Sequence, residues 1–583
     1  AHNNLGVTLQ ALSRLDEARA SLKRAIALRP GYAEAHNNIG NTFKQLGKLD
    51  EAVESYAHAI ALKPEFAQAY VNLSLVIKNV TFSSSSPNLY RPLLQLLTFG
   101  NFTRPVDVAR PILSLLKSDP LIKPLLIANL DTISLRESAF IIESLHKLPL
   151  LHHLMRLCPL PDLELEGFFS GMRRFLIANL ESFKASAELI HFLSTLSIHC
   201  FVNEYIYYES EEETCLVEKL EDKITQAVKH SVQPDAVAIL CLASYRPLNQ
   251  YEWCQKLESL ENLAEVKKRL IEEPLAERLI AKKIPLVQEI SDRVSCRVRE
   301  QYEENPYPRW VKTGIPTKVK SISEICADLN LNLHSAHIKS ITAPAILVAG
   351  CGTGQHSIST ACRFANCQVT AVDLSLASLA YAQRQTNALG VANLEYLQAD
   401  ILHLDQLDMQ FEIIESAGVL HHMDEPMAGW GALTDLLKPG GLMKIGLYSE
   451  LARHHIAEVR AEIESSKVGT SNSDIREFRR CITESHNEEH QLLATWTHFF
   501  SLSELRDLVF HVQEHCFTLP KIQSSLDQLG LKFCGFEKTD IVNQFKYVLG
   551  EESDACDLSL WNQFEENNPH TFAGMYQFWC QKM

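Results

Sequence analysis

The stretch AILVAGCGTGQHSISTACRF, residues 345–364, decides how the C-terminal half of this chain is read. A short apolar run of strand type leads directly into glycines at 350, 352 and 354, and then into a segment with helical spacing. A strand that turns through bare backbone into a helix presents N–H groups and a helix N-terminus to a ligand. The same texture continues downstream. CQVTAVDLS (367–375), LEYLQAD (394–400), FEIIESAGVL (411–420) and LMKIGLYS (442–449) are β-type runs separated by helical segments. Strand–helix alternation predicts a mostly parallel sheet with helices on both faces. LKFCGFE (531–537) and the run ending FAGMYQFWCQKM (572–583) predict a final antiparallel pair.

The glycine spacing is GxGxG, with Gln355 where a dinucleotide fingerprint would place its third glycine. This disfavours a nicotinamide-linked oxidoreductase and leaves open a Rossmann-like domain kept only for packing. Asp373 closes the second predicted strand about 20 residues on, where a carboxylate accepts both hydroxyls of a ribose. Asp400 closes the third strand, placed to take an exocyclic amino group while Ile401 packs on the ring. LKPGG at 437–441 is a tight turn into a fifth strand.

In order and spacing these motifs resemble the class I S-adenosylmethionine-dependent methyltransferases, over the chain from Tyr302 to its end. The resemblance implies a Rossmann-like domain with a mostly parallel seven-stranded sheet and S-adenosyl-L-methionine as cofactor. It implies that Gly350, Cys351, Gly352, Gly354 and Gln355 approach the methionine part. Asp373 with Leu374 would hold the ribose, and Asp400 with Ile401 the adenine, while Glu415 would stand near the methyl sulfonium. Family members that methylate planar amides or exocyclic amines carry an Asn/Asp-Pro-Pro-aromatic loop after the fourth strand. Here ESAGVLHHMDEP stands in its place, which argues against DNA bases and glutamine as acceptors.

His421 and His422 follow the fourth strand at the ligand-binding edge of the sheet and are candidate general bases, with Tyr448 a third candidate catalytic group. A capping or shelf role under the cofactor is the alternative for the histidines. QYEENPYPRW (301–310) is stiffened by two prolines and studded with Tyr302, Asn305, Tyr307, Arg309 and Trp310, candidate substrate or lid contacts, or else a docking strap. Arg453 suits an acidic acceptor, and Arg460 an ion pair. His511 and His515 stand at i, i+4, which chelates a metal when helical; with no third ligand evident, no metal is expected and a substrate-pocket role is favoured.

The N-terminal half has a different period. AHNNLG (1–6) returns as AHNNIG (35–40) and weakly as AYVNLS (69–74), an interval of about 34 residues, that of tetratricopeptide helix pairs. The pattern is already in mid-unit at Ala1, so earlier repeats are expected before it. Such arrays, similar to those of O-linked N-acetylglucosamine transferases among many proteins, bind or pack and carry no chemistry of their own. SSSSP (83–87) marks a boundary, and from Leu89 to Arg297 amphipathic helices follow one another. The expected organisation is an all-α solenoid over 1–80, a helical middle domain over 88–297, a lid or linker over 298–340, and the methyltransferase domain over 341–583 with helical insertions near 465–530 and 540–570. YEENPYPRW, GLYSELAR, FHVQEH and FAGMYQFW together resemble uncharacterised bacterial proteins that fuse these two modules.

Composition bounds the rest. A net charge of −16 argues against a general nucleic-acid binder, whose phosphate-tracking surface is basic. Fifteen cysteines without a CxxC pair fit free thiols in a cytoplasmic setting, and no apolar run has the length of a membrane span. The leading expectation is a methyltransferase whose repeats position a protein or small-molecule acceptor. Its rival is an interaction scaffold whose methyltransferase domain binds cofactor without turnover.

Overall fold

The computed structural model describes residues 1–261 and 263–583. They divide into two compact units, residues 1–273 with 310–314, and residues 274–309 with 315–583. This corrects two expected boundaries. The repeats and the middle helices form one unit, because the apolar face left at the end of the array is covered by the next segment: Tyr70 stacks on Phe102 with ring centroids 5.1 Å apart. The helical unit also ends at Glu273, not Arg297. Residues 285–287 lie along an edge strand of the sheet, with Gln398 N donating to the Pro285 carbonyl at 2.8 Å and Val287 N to the Gln398 carbonyl at 3.0 Å.

In the helical unit, α1 (His2–Ala11), α2 (Leu15–Leu28), α3 (Ala33–Gln45), α4 (Leu49–Leu62) and α5 (Ala67–Ile77) stack as antiparallel pairs. The period arises from one contact made twice. A Cβ on Gly6 would lie 2.5 Å from Leu22 Cγ, and a Cβ on Gly40 would lie 2.6 Å from Tyr56 Cε1. Only a glycine lets the large side chain of the second helix lie flat on the first. Gly40→Val should therefore destabilise the helical unit by about 1–3 kcal/mol through overpacking. Gly31→Ala, whose methyl meets no atom within 4 Å, should be neutral. Urea denaturation followed by circular dichroism compares the two.

The second unit is built on seven strands: β1 (Ala345–Ala349), β2 (Gln368–Asp373), β3 (Leu394–Gln398), β4 (Phe411–Ala417), β5 (Leu437–Leu447), β6 (Leu531–Phe536) and β7 (Tyr576–Lys582). Their order is β3-β2-β1-β4-β5-β7-β6. β7 runs antiparallel to both of its neighbours, whereas the first five strands pair in parallel. Helices cover both faces, so the central strands are apolar almost throughout, and Ile346 to Ala349 are fully buried. Trp430, Leu433, Met443, Trp561 and Phe578 belong to the main core cluster. Helices between His454 and Gln528 intervene before β6, and Thr539–Leu549 and Leu558–Asn567 before β7. Among the described residues, no helix is long and apolar enough to cross a membrane.

Candidate cofactor and active site

Parallel strands place their carboxyl ends along one edge, and β1 and β4 lie side by side at the point where the strand order reverses. The turn after β1 is left-handed at each of its glycines, with φ of 73°, 51° and 84° at Gly350, Gly352 and Gly354. Gly354 caps the helix Gln355–Arg363. Cys351 is buried beneath the turn.

Asp373 locks this turn to β2. One carboxylate oxygen accepts the Gly352 N–H at 2.7 Å and the other accepts the Ser375 N–H at 3.0 Å. Burial pushes the Asp373 carboxyl above its ordinary range. Leu374 is half-buried, and its carbonyl accepts from Gln398 Nε2 at 2.8 Å. At the next strand Asp400 is 3% exposed. Its Oδ1 accepts the Leu402 N–H at 3.0 Å, while its Oδ2 has no hydrogen-bond partner. A buried carboxylate oxygen without a donor costs free energy unless a ligand supplies one. Ile401 is buried beside it. The site therefore offers an open acceptor on β3, a carboxylate on β2 and a bare turn on β1, a donor set that fits an adenosyl group.

Glu415, expected near the methyl sulfonium, is tied down by one oxygen, while its Oε1 is buried with no hydrogen-bond partner. One oxygen lies 2.8 Å from His356 Nε2 and accepts from the Thr360 hydroxyl, both on the helix behind the turn. Burial alone would raise its carboxyl, but the His356 imidazole and the Lys444 ammonium hold it well below the usual range. Glu415 thus anchors the helix from beneath. The residue that reaches the turn from the exit of β4 is Val419, whose Cγ2 would lie 2.3 Å from a Cβ on Gly350.

The strap closes over the turn. A Cβ on Gly352 would stand 2.6 Å from the Tyr307 carbonyl oxygen, the Thr353 N–H donates to that oxygen at 3.3 Å, and the Thr353 hydroxyl donates to the Pro308 carbonyl. The preceding helix, Arg293–Glu304, is pinned too. Glu303 accepts from Leu376 N at 2.6 Å and Ala377 N at 3.1 Å, capping the helix Leu376–Leu389, and the Ser375 hydroxyl donates to the Tyr302 carbonyl at 3.1 Å. Asn305, 7% exposed, leaves its amide nitrogen without an acceptor. Arg309 lies close enough to Tyr381 for its charge to act on that phenol. Trp310 does not join this group: the division between the units falls between Arg309 and Trp310.

A second cluster forms where the insertion after β5 returns to the sheet. Tyr302 donates to Asp507 Oδ1 at 2.6 Å, with His511 Nε2 3.1 Å from the same hydroxyl. His422 and His511 stack with centroids 3.6 Å apart, and His421 lies 3.9 Å from Tyr448. Burial, reinforced by neighbouring charge, holds the His421 and His422 imidazoles well below their ordinary range and lowers His511 to about 3. Burial raises Asp507 to about 6. These imidazoles are neutral at physiological pH and present lone pairs rather than charge.

One expectation changes here, that for Arg453. Residues 511–518 are not helical, because the helix Leu502–Val509 ends before them, so His511 and His515 do not chelate through i, i+4. His515 instead places Nε2 3.0 Å from Gln513 Nε2. Arg453 is buried, stacked 3.6 Å over Tyr448 and paired with Glu514 at 3.1 Å, so its charge is already matched and is not held out to an acidic acceptor. Arg460 reaches the same Glu514 at 3.8 Å and donates to the His511 carbonyl at 2.9 Å. Asp507, Glu514, Glu303 and Thr353 gave no sequence signal of their own: Asp507 reads as an ordinary polar residue of an amphipathic helix, and the other three as polar neighbours of more conspicuous residues in the turn, the strap and the histidine segment.

Comparison with known proteins identifies the kind of domain in each unit. The sequence model of the methyltransferase-domain family matches residues 346–441, and that of the tetratricopeptide repeat matches residues 1–65. The C-terminal unit is thus built around a methyltransferase domain of the S-adenosylmethionine-dependent class, and the N-terminal unit opens with tetratricopeptide repeats. An uncharacterised protein of a Synechococcus strain is 31% identical over 206 residues, 34% of this chain and 49% of that protein. The ubiquinone biosynthesis O-methyltransferase of Erwinia tasmaniensis is 30% identical over 157 residues, 26% of this chain and 62% of its own. The chain therefore spans about half to three-fifths of these two curated relatives. A solved structure of PKMT2 from Rickettsia typhi with AdoHcy is 16% identical, covers 44% of this chain and 51% of that one, and has a TM-score of 0.33.

Proposed function

We propose that this chain is an active methyltransferase that moves a methyl group from S-adenosylmethionine to an acceptor admitted beneath the strap at 301–309. The observation that carries the reading is the pairing of Asp373, bonded to the Gly352 N–H, with an Asp400 oxygen that is buried and has no donor. When bound, the cofactor supplies an electrophilic methyl on sulfur. The chain's own residues do the rest. Asp373 holds the turn and accepts the ribose hydroxyls, Asp400 Oδ2 accepts the adenine amino group, and Ile401 packs on the ring. The strap excludes water, and Asn305 supplies an amide donor inside it. Neutral His421, whose two ring nitrogens have no hydrogen-bond partner, accepts a proton from an acceptor hydroxyl or amine. The tetratricopeptide repeats recruit the acceptor or the protein that carries it, in the cytoplasm where free thiols persist.

Asp400→Asn tests the adenine assignment. The added amide would face a donor with a donor, so affinity for S-adenosylhomocysteine should fall about 10- to 100-fold, the equivalent of about 1–3 kcal/mol. Calorimetry on the full chain reads this directly, and an unchanged affinity refutes the assignment. Turnover is tested separately, by labelled methyl transfer into the protein, lipid and small-molecule pools of a lysate. Tight cofactor binding without transfer into any pool would favour the scaffold reading.

A further inference from the structure

We infer that His422, Asp507 and His511 form a binding site for a first-row divalent transition metal, placed where the strap meets the insertion after β5. The three residues are buried, and one potential ligand atom from each lies within 4.8 Å of the others. They come from distant parts of the chain: the exit of β4, the end of the helix Leu502–Val509 and the segment after it.

The hydrogen bonds around them orient each group as a ligand. His422 Nδ1 and His511 Nδ1 both stand 2.7 Å from the Gln513 carbonyl oxygen. A carbonyl only accepts, so these 2.7 Å contacts put the proton on Nδ1 of both rings, at His511 against the longer 3.2 Å contact in which the Gln513 N–H faces the same nitrogen. A neutral imidazole with its proton there bears its lone pair on Nε2. The rings stack at 27° and share that one acceptor, and His511 Nε2 lies 3.1 Å from the Tyr302 hydroxyl that binds Asp507. Asp507 receives the Tyr302 hydroxyl on Oδ1, which leaves Oδ2 for a cation. Ligating histidines characteristically donate their other nitrogen to a carbonyl, and ligating carboxylates are themselves hydrogen-bonded. All three residues meet that condition.

Without a cation the arrangement is poorly satisfied. The single Tyr302 proton faces both Asp507 Oδ1 and His511 Nε2. Arg453 and Arg460 lie nearby, but both engage Glu514, which offsets part of their repulsion toward a metal. Two imidazoles with one carboxylate favour manganese-to-zinc ions over magnesium or calcium, which prefer all-oxygen sites. Three protein ligands leave at least one position for water or for an oxygen of the acceptor.

Cobalt(II) is the probe. The full chain, stripped with chelator and dialysed against Co2+, should retain about one ion with a visible ligand-field spectrum free of thiolate bands, and its Tm should rise. His422→Gln, Asp507→Asn and His511→Gln should each remove that ion and the Tm shift, whereas His515→Gln should keep both. Asp507→Asn is nearly isosteric, so its circular dichroism and unliganded Tm establish that the loss is not unfolding. The inference is overturned if the stripped chain retains no Co2+, if the three variants bind as the parent does, or if a cysteine-to-cobalt charge-transfer band shows the ion on thiols.

Discussion

Asp373→Ala should abolish measurable cofactor affinity, reducing S-adenosylhomocysteine binding by about 100- to 1,000-fold, or roughly 3–4 kcal/mol. The side chain does two things at once. It is expected to accept the ribose hydroxyls, and it fastens the Gly352 N–H at 2.7 Å and the Ser375 N–H at 3.0 Å. Losing it leaves a turn with left-handed residues at 350, 352 and 354 held to β2 only through the Gly350 and Cys351 N–H groups on the Val372 carbonyl, so the site is both depleted and less preorganised. Asp373→Asn keeps an acceptor for one of the two backbone donors and should lose less. Calorimetry is the measurement, with thermal denaturation confirming the fold. A folded Asp373→Ala chain that binds within about threefold of the parent would leave the ribose assignment without support.

The second large effect is on stability. Arg453 is 2% exposed, stacked over Tyr448 and doubly bonded to Glu514 at 3.1 and 3.3 Å. Arg453→Met should destabilise the C-terminal unit by about 3–5 kcal/mol, because Glu514 would stay charged in a poorly solvated place with only Arg460 in reach. The remedy follows from the same cause. Arg453→Met combined with Glu514→Gln removes both charges and should recover more than half of the loss. Denaturant titration of the single variants and the double variant closes the cycle. Equal losses in the single and the double variant would mean that the pair contributes by packing over Tyr448 rather than by charge.

The legible and illegible parts of this molecule separate by the range of the interaction. The turn at 350–354 could be read because a strand, three alternate glycines and a helix are contiguous and each carries its own local preference. Asp373 and Asp400 could be placed at the carboxyl edge of the sheet because β2 and β3 repeat one unit, β2 ending at Asp373 and β3 two residues before Asp400. Glu415 ends a similar run, yet its direction depended on His356 and Thr360, which come from a helix packed on that face. The i, i+4 spacing of His511 and His515 carried no information about their partners, because the helix ends at Val509 and the chain runs on irregularly.

By itself the sequence determined the two kinds of architecture and the cofactor edge, because periodicity, glycine placement and strand-end carboxylates are local or repeating signals. Only the tertiary structure decided that residues 274–309 belong with the sheet, that the strap seals the glycine turn through Tyr307 and Pro308, and that His422 meets Asp507 and His511. Those contacts join residues tens to hundreds of positions apart. Their partners are chosen by which surfaces remain unburied after each element has folded, a choice that no short window of residues contains.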